Sequence, residues 1–317
     1  MTSTTTPRAG RDHAPGREVP APALGRRRRR RRDWWGYLFV LPALAVYVAF
    51  ALRPIGETAY TSLFEWDGLT LATWVGFGNY TELFESGVLQ STLGHSLVFL
   101  VFYALLPTAV GLVIAGLMTR IRIRGLALFR SVLFIPQILS SVVIAVAWRW
   151  VYDLGGPLNA VLDALGLGGV TRAWLGDFDT ALVSVGLIGT WVQFGLCMML
   201  FLAGAQRIPR ELYESARIDG AGAIREFFVV TVPGLRTELR IALVLTTIFA
   251  LRNFDIVWNT TAGGPGTSTT VPSVYVYQGA FLTREVGDAA AVAVVLTLFI
   301  LVVVGAIMAA LREREAR

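Results

Sequence analysis

Apolar residues run along this chain in long blocks, at about 36–53, 95–118, 131–150, 181–205, 241–260 and 289–311, separated by shorter polar stretches. A bilayer core of about 30 Å takes roughly 20 mostly apolar residues per helix, so the pattern predicts six membrane-spanning helices. The fourth block is the cleanest, with no charged residue between Asp179 and Arg207. The fifth is interrupted by Arg252, Asn253 and Asp255. The first block follows the run Arg26–Arg32 and ends near Ala49-Phe50-Ala51, the layout of a cleavable signal. Its apolar stretch exceeds a usual signal core and further spans follow, which favours an uncleaved first helix. Residues 1–25 show no hydrophobic period and are expected to be disordered.

Between the fourth and fifth blocks the pattern changes character. Pro209 suits the start of a helix, and Glu211, Glu214 and Arg217 follow at three-residue spacing along one polar face. Leu212 and Ala216 share another face, Asp219-Gly220 stops the helix, and a second short helix is expected from Ala223 to Pro233, with Ile224, Phe227 and Phe228 as its apolar stripe. This predicts a helix–turn–helix hairpin. From pattern alone it is either an amphipathic connector in the headgroup layer or a docking device for a partner.

Composition agrees with the membrane class: of 317 residues 55% are hydrophobic and only 16% charged, and the mean hydropathy is +0.60. The formal charge of +6 comes from arginine alone, since the chain has no lysine. That excludes a phosphate loop of the Walker type and Schiff-base chemistry, so any ATP hydrolysis has to come from another subunit. Seven of the arginines form the run before the first span, where they read as an anchor facing anionic lipid rather than as a nucleic-acid surface. Ten arginines lie in the amino-terminal tail, four in 119–130, six in 206–240 and three in the carboxyl tail, against five elsewhere. The positive-inside rule then puts both termini and the hairpin in the cytoplasm. Cys197 is the single cysteine, in an apolar run, and is expected to be a packing residue. His95 and His13 make no metal constellation, and no hydrolytic triad can be assembled.

The hairpin resembles a known family. Glu214-Ser215-Ala216, Asp219-Gly220-Ala221, Phe227, Thr231 and Pro233-x-Leu235 are similar to the "EAA" loop of binding-protein-dependent ABC importer permeases, with Ser215 replacing an alanine. The likeness extends over roughly 34–312, through Trp34–Pro54, Gly78-Asn79-Tyr80, Phe134-Ile135-Pro136, Phe254-Asp255 and Gly263-Gly264-Pro265, which resemble the "first" permease of a carbohydrate-importer pair. The resemblance implies a coupling loop at 207–236, with Glu214, Ser215, Ala216, Asp219, Gly220 and Ala221 at or near an ATPase subunit, and Arg217 and Asp219 shaping the hairpin. It implies as partners a second homologous permease, two ATPase subunits that hold ATP and magnesium, and an extracytoplasmic solute-binding protein. No cofactor is expected on this chain itself.

Polar side chains inside spans are costly and mark candidate pathways. In the fifth block Thr246, Phe249, Ala250 and Asn253 share one helix face, and Gln193 of the fourth lies near Trp191 and Phe194. An aromatic plate beside hydroxyl and amide groups suits a sugar; helix–helix hydrogen bonding explains the same polar residues equally well. Arg252 and Asp255 are expected to neutralise each other. The expectation from sequence is therefore an all-α integral membrane protein: a tail at 1–33, a transmembrane domain at 34–312 and a short tail at 313–317. It is expected in a bacterial plasma membrane as the permease of a sugar importer, not an enzyme. Glycerol phosphate or a polyol is the alternative solute, and a secondary transporter, which calls for inverted repeats that the chain does not display, the more distant alternative.

Overall fold

The computed structural model describes residues 35–120 and 125–311. The arginine run Arg26–Arg32 and the rest of tail 1–33, Arg122 and Arg124 of the 119–130 loop, and tail 313–317 lie outside the described residues. The described residues fall into two compact units, divided between Ala51 and Leu52. The first carries the helix Trp35–Tyr47, with Pro42 inside it.

Helix formation follows apolar length. Phe39–Thr61, Val88–Met118, Ala181–Ala205 and Val286–Ala310 are each long and apolar enough to cross a membrane, and a bent pair, Ala127–Ile138 and Ser141–Val151, makes five if it is one span. The second span begins at Val88, ahead of the apolar block at 95, because Leu89 packs in a cluster with Leu83, Ala291 and Val292.

Two predicted spans are not single rods. The 131–150 block bends by 98° between Ile138 and Ser141. Pro136 lies in the last turn of the first half and removes a backbone donor there. The bend itself falls at Leu139 and Ser140, whose ψ angles of 146° and 138° are extended. The 241–260 block divides into Arg236–Leu251 and Asp255–Thr260. It parts at Arg252, Asn253 and Phe254, where polar side chains line a cavity, the setting in which non-helical backbone is tolerated at membrane depth.

Ala181–Ala205 is the central helix of the second unit: 56% of its most apolar window is buried, against 11% for Val286–Ala310. Its glycines let neighbours approach closely, as small residues do between helices in lipid. A Cβ on Gly189 would fall inside the ring of Tyr103. One cluster gathers Phe99, Tyr103, Val185, Ile188, Val257 and Val274 along this helix, and a second gathers Met118, Cys197, Met198, Phe201, Leu235 and Ala242 nearer its carboxyl end. Cys197 is fully buried, as its apolar run predicted.

The segment 62–80 folds over the start of the last helix. Phe64–Glu65 pairs antiparallel with Thr73–Trp74. The buried Asn79 amide donates to the carbonyls of Ser62 and Phe64, each at 2.9 Å, and Val286 N–H donates to Trp66 O at 2.9 Å. Asp67 closes the intervening turn. The N–H groups of Thr70 and Leu69 and the Thr70 hydroxyl bond its carboxylate and hold it below the usual range for aspartate.

Candidate functional site: the 207–238 hairpin and the cavity at 137–256

The polar insert forms the predicted hairpin. Arg210–Ile218 is a helix with Pro209 as its N-cap residue, one position ahead of the first turn. Glu211 in the first turn and Arg217 in the last complement the helix dipole. Asp219 ends the helix, and Gly220 turns the chain at φ 78°, a conformation that glycine adopts without the Cβ penalty. Ala221 N–H then bonds back to Ala216 O at 2.9 Å. The second arm runs through Ala223–Glu226, a π turn at Phe227–Thr231 and Val232–Gly234.

Among the residues singled out from sequence, Ala216 is buried in the hairpin while Glu214, Ser215, Asp219 and Gly220 are exposed and Ala221 is half-buried. The expected apolar stripe of the second arm divides. Phe227 packs where a Cβ on Gly116 would come within 2.5 Å of its ring, whereas Ile224 and Phe228 are 77% and 62% exposed. The hairpin thus exposes both the charged Glu214 and the apolar Ile224 and Phe228. Arg217 does shape the hairpin: its Nε donates to Glu226 Oε2 at 3.1 Å, and Glu226 is buried. That hydrogen bond, with the charge behind it, raises the Arg217 pKa above its ordinary value. A cavity of about 910 Å³ lies beside the pair, lined by Arg130, Tyr213, Glu214 and Glu226 among others.

The second place where the sequence pointed is a cavity of about 490 Å³ beside the central helix. Of the four residues singled out for a substrate path, Gln193, Phe249 and Asn253 line it and Thr246 does not. The Thr246 side chain is fully buried and its hydroxyl donates to Ala242 O at 2.7 Å, satisfied by its own helix. Ala250 is likewise packed in the core. Gln137, Tyr103 and Ser141 join the lining, although the sequence reading passed over them. Gln137 was findable: it is an amide within an apolar block, the same signal that marked Gln193.

The chemistry of the lining is unusual for a protein interior. Gln193 Oε1 and Gln137 Oε1 are buried without a hydrogen-bond partner among the described residues, while the Asn253 amide lies within hydrogen-bonding reach of the buried Tyr103 hydroxyl. Buried polar atoms are nearly always paired, so two amide oxygens left open on one cavity can accept hydrogen bonds from hydroxyl groups. The Phe249 ring, 49% exposed, supplies an apolar plate beside them. Arg252 and Asp255 both line the cavity, yet no ion pair joins them among the described residues. The helix ends between them, and the expected i, i+3 contact is lost with it.

Two further polar contacts hold structure. His95 Nδ1 bonds Thr270 O at 2.8 Å and ties the second span to the 262–272 loop. Trp174 Nε1 donates to the buried Asn159 at 2.8 Å. A basin of about 930 Å³ around Asn79 is lined by Glu65, Asp67, Glu82, Glu85, Glu285 and Asp288, with Arg284 the basic residue there.

Comparison with known proteins gives consistent matches. The family model described as "binding-protein-dependent transport system inner membrane component" matches residues 108–317. The probable ABC transporter permease protein YurN of Bacillus subtilis is 38% identical, over 84% of this chain and 91% of that protein. The lactose transport system permease protein LacF of Rhizobium radiobacter is 32% identical, over 88% of this chain and 95% of its own length. The multiple sugar-binding transport system permease protein MsmF of Streptococcus mutans is 31% identical, over 86% and 93% respectively. Among solved structures, a bacterial ABC transporter that imports the acidic polysaccharide alginate has a chain that superposes with a TM-score of 0.75 at 22% identity, covering 90% of this chain and 97% of that one. At that identity the superposition speaks for the fold alone.

Proposed function

The chain belongs to the family of inner membrane components of binding-protein-dependent transport systems, and from that premise we propose that it is the permease subunit of an ATP-driven sugar importer. It is a transport subunit, not an enzyme. The observation that carries this reading is the hairpin, a preformed device that presents Glu214 and the exposed Ile224 and Phe228 on one polar loop between apolar helices. A soluble ATPase subunit would seat that face. On ATP-driven closure the hairpin would move and drive Ala181–Ala205 and Arg236–Leu251, the helices it joins, opening the 490 Å³ cavity outward.

The full arrangement proposed is six spans with 241–260 as a broken fifth, both termini and the hairpin in the cytoplasm of a bacterium, and the 262–272 loop outside. A second homologous permease, two ATPases holding ATP and magnesium, and an extracytoplasmic solute-binding protein complete the machine. A neutral sugar suits the cavity better than glycerol phosphate. Its open groups are amides, and its charged lining residues are one of each sign, Arg252 and Asp255, so the wall carries no net charge to hold a phosphate.

Replacing Glu214 with lysine reverses the charge at the centre of the docking face. The variant should reach the membrane at normal level yet retain much less ATPase on affinity purification, with uptake lost. Undiminished ATPase retention with full uptake would remove Glu214 from the interface. Competition of labelled sugar uptake by unlabelled sugars, polyols and phosphates then separates the solute classes.

A further inference from the structure

Four contacts cross the hairpin, one above another. At its base Arg207 Nη1 stands 3.5 Å from Glu238 Oε1. Next, Ile208 packs on Gly234 so tightly that a Cβ there would lie 2.6 Å from Ile208 Cδ1. Further out the Tyr213 and Thr231 hydroxyls are 3.3 Å apart. Nearest the tip, Arg217 holds Glu226 through Nε at 3.1 Å and Nη2 at 3.5 Å. Both carboxylates are buried, Glu226 3% and Glu238 8% exposed, while their arginines reach out from the surface. Glu238 is admitted by Gly204 of the central helix, where a Cβ would meet its Cδ at 2.5 Å. A buried carboxylate needs its cationic partner, so each pair strongly disfavours any geometry in which the two arms part.

We infer that Glu226 and Glu238 are positioning residues for transport: they make the hairpin and its neck one rigid piece, so that displacement of the docking face reaches the central helix undiminished. This rests on the reading of the hairpin as the ATPase-coupling element. Glu238 stands in the first turn of Arg236–Leu251, next to the carboxyl end of Ala181–Ala205. The base pair therefore joins the two helices that run on to the cavity lined by Gln193 and Asn253.

The test uses the full transporter with both ATPases in nanodiscs. Spin labels are placed on L212C, on the hairpin helix away from Glu214, Ile224 and Phe228, and V183C at the far end of the central helix, in a C197A background. The wild-type distance distribution should be single and narrow, and should keep its position and width on trapping with MgATP and orthovanadate, because both labels ride on one piece. E226Q and E238Q should broaden it and let it shift on trapping, while ATPase co-purifies as before. The exchange R217E/E226R, with the 910 Å³ cavity alongside to take the longer side chain, should narrow it again. Should a glutamine variant fail to accumulate, R217Q and R207Q probe the same pairs from the exposed side. A distribution in these variants as narrow as in wild type, and as constant on trapping, would overturn the inference. Failure of the wild-type chain to retain any ATPase would instead sink the coupling function itself.

Discussion

Gln193 keeps its amide oxygen buried without a hydrogen-bond partner, where most other buried polar groups among the described residues are bonded. An unmade hydrogen bond of this sort costs about 1–3 kcal/mol. If the cavity takes the sugar as proposed, a hydroxyl donated to Gln193 would relieve that cost, the usual relation between a binding site and its scaffold. Gln193→Leu keeps the shape and removes the orphaned acceptor. We expect the ligand-free protein in detergent to melt at a higher temperature while uptake falls steeply; a lower melting temperature would show that Gln193 serves packing. Gly220 makes the opposite case, a residue needed for its backbone. At φ 78° a β-branched side chain costs roughly 1–2 kcal/mol or more, so Gly220→Val should reduce ATPase retention without lowering membrane yield. At this scale the sequence was readable wherever one residue type has one use. An amide in an apolar block pointed to the cavity, and Asp-Gly after a short helix pointed to the turn. Thr246 misled because threonine can bond its own helix four residues back, and nothing in its neighbours reveals which choice it makes.

Elements were legible by their length more than by their shape. Hydropathy located Ala181–Ala205 almost to the residue, since a helix buried all round needs no periodicity to be seen. The break of the fifth block was foreshadowed by Arg252, Asn253 and Asp255, because polar groups at that depth need somewhere to go. The 98° bend had no such signal: two extended ψ angles at Leu139 and Ser140 decide it, and both residues fit a straight helix equally well. Past the break, the short helix Asp255–Thr260 is held by aromatics. Trp258 stacks on Phe254 at 5.9 Å and meets Tyr277 edge-on at 4.7 Å. Two such contacts are worth about 1–3 kcal/mol together. Trp258→Ala should therefore lower the melting temperature by several degrees and raise hydrogen exchange in 255–260 and 272–278 more than in the central helix. Uniform change across the chain would mean that these short helices do not depend on the aromatic stack.

For the molecule as a whole, burial grades from the central helix, at 56% of its window, through Val88–Met118 at 33% to Val286–Ala310 at 11%. Leu298, Leu301 and Val302 on the last of these are each more than half exposed. Apolar surface on that scale needs lipid or another subunit over it. Which way the molecule sits is a matter of charge: 23 of the 28 arginines fall in the two tails and in 119–130 and 206–240. On the proposed topology the positive-inside rule predicts the hairpin and the 262–272 loop on opposite sides. Cys197, the single cysteine, is fully buried and its replacement by alanine gives a silent background. In it, Thr267→Cys, on an exposed stretch of the loop, should react with a membrane-impermeant maleimide in intact cells stripped of their wall. Ser215→Cys should be protected there, and should react in inside-out vesicles washed with urea to remove peripheral subunits. Labelling of Ser215→Cys from outside would turn the hairpin away from every soluble ATPase, and with it remove the route by which ATP could drive this chain.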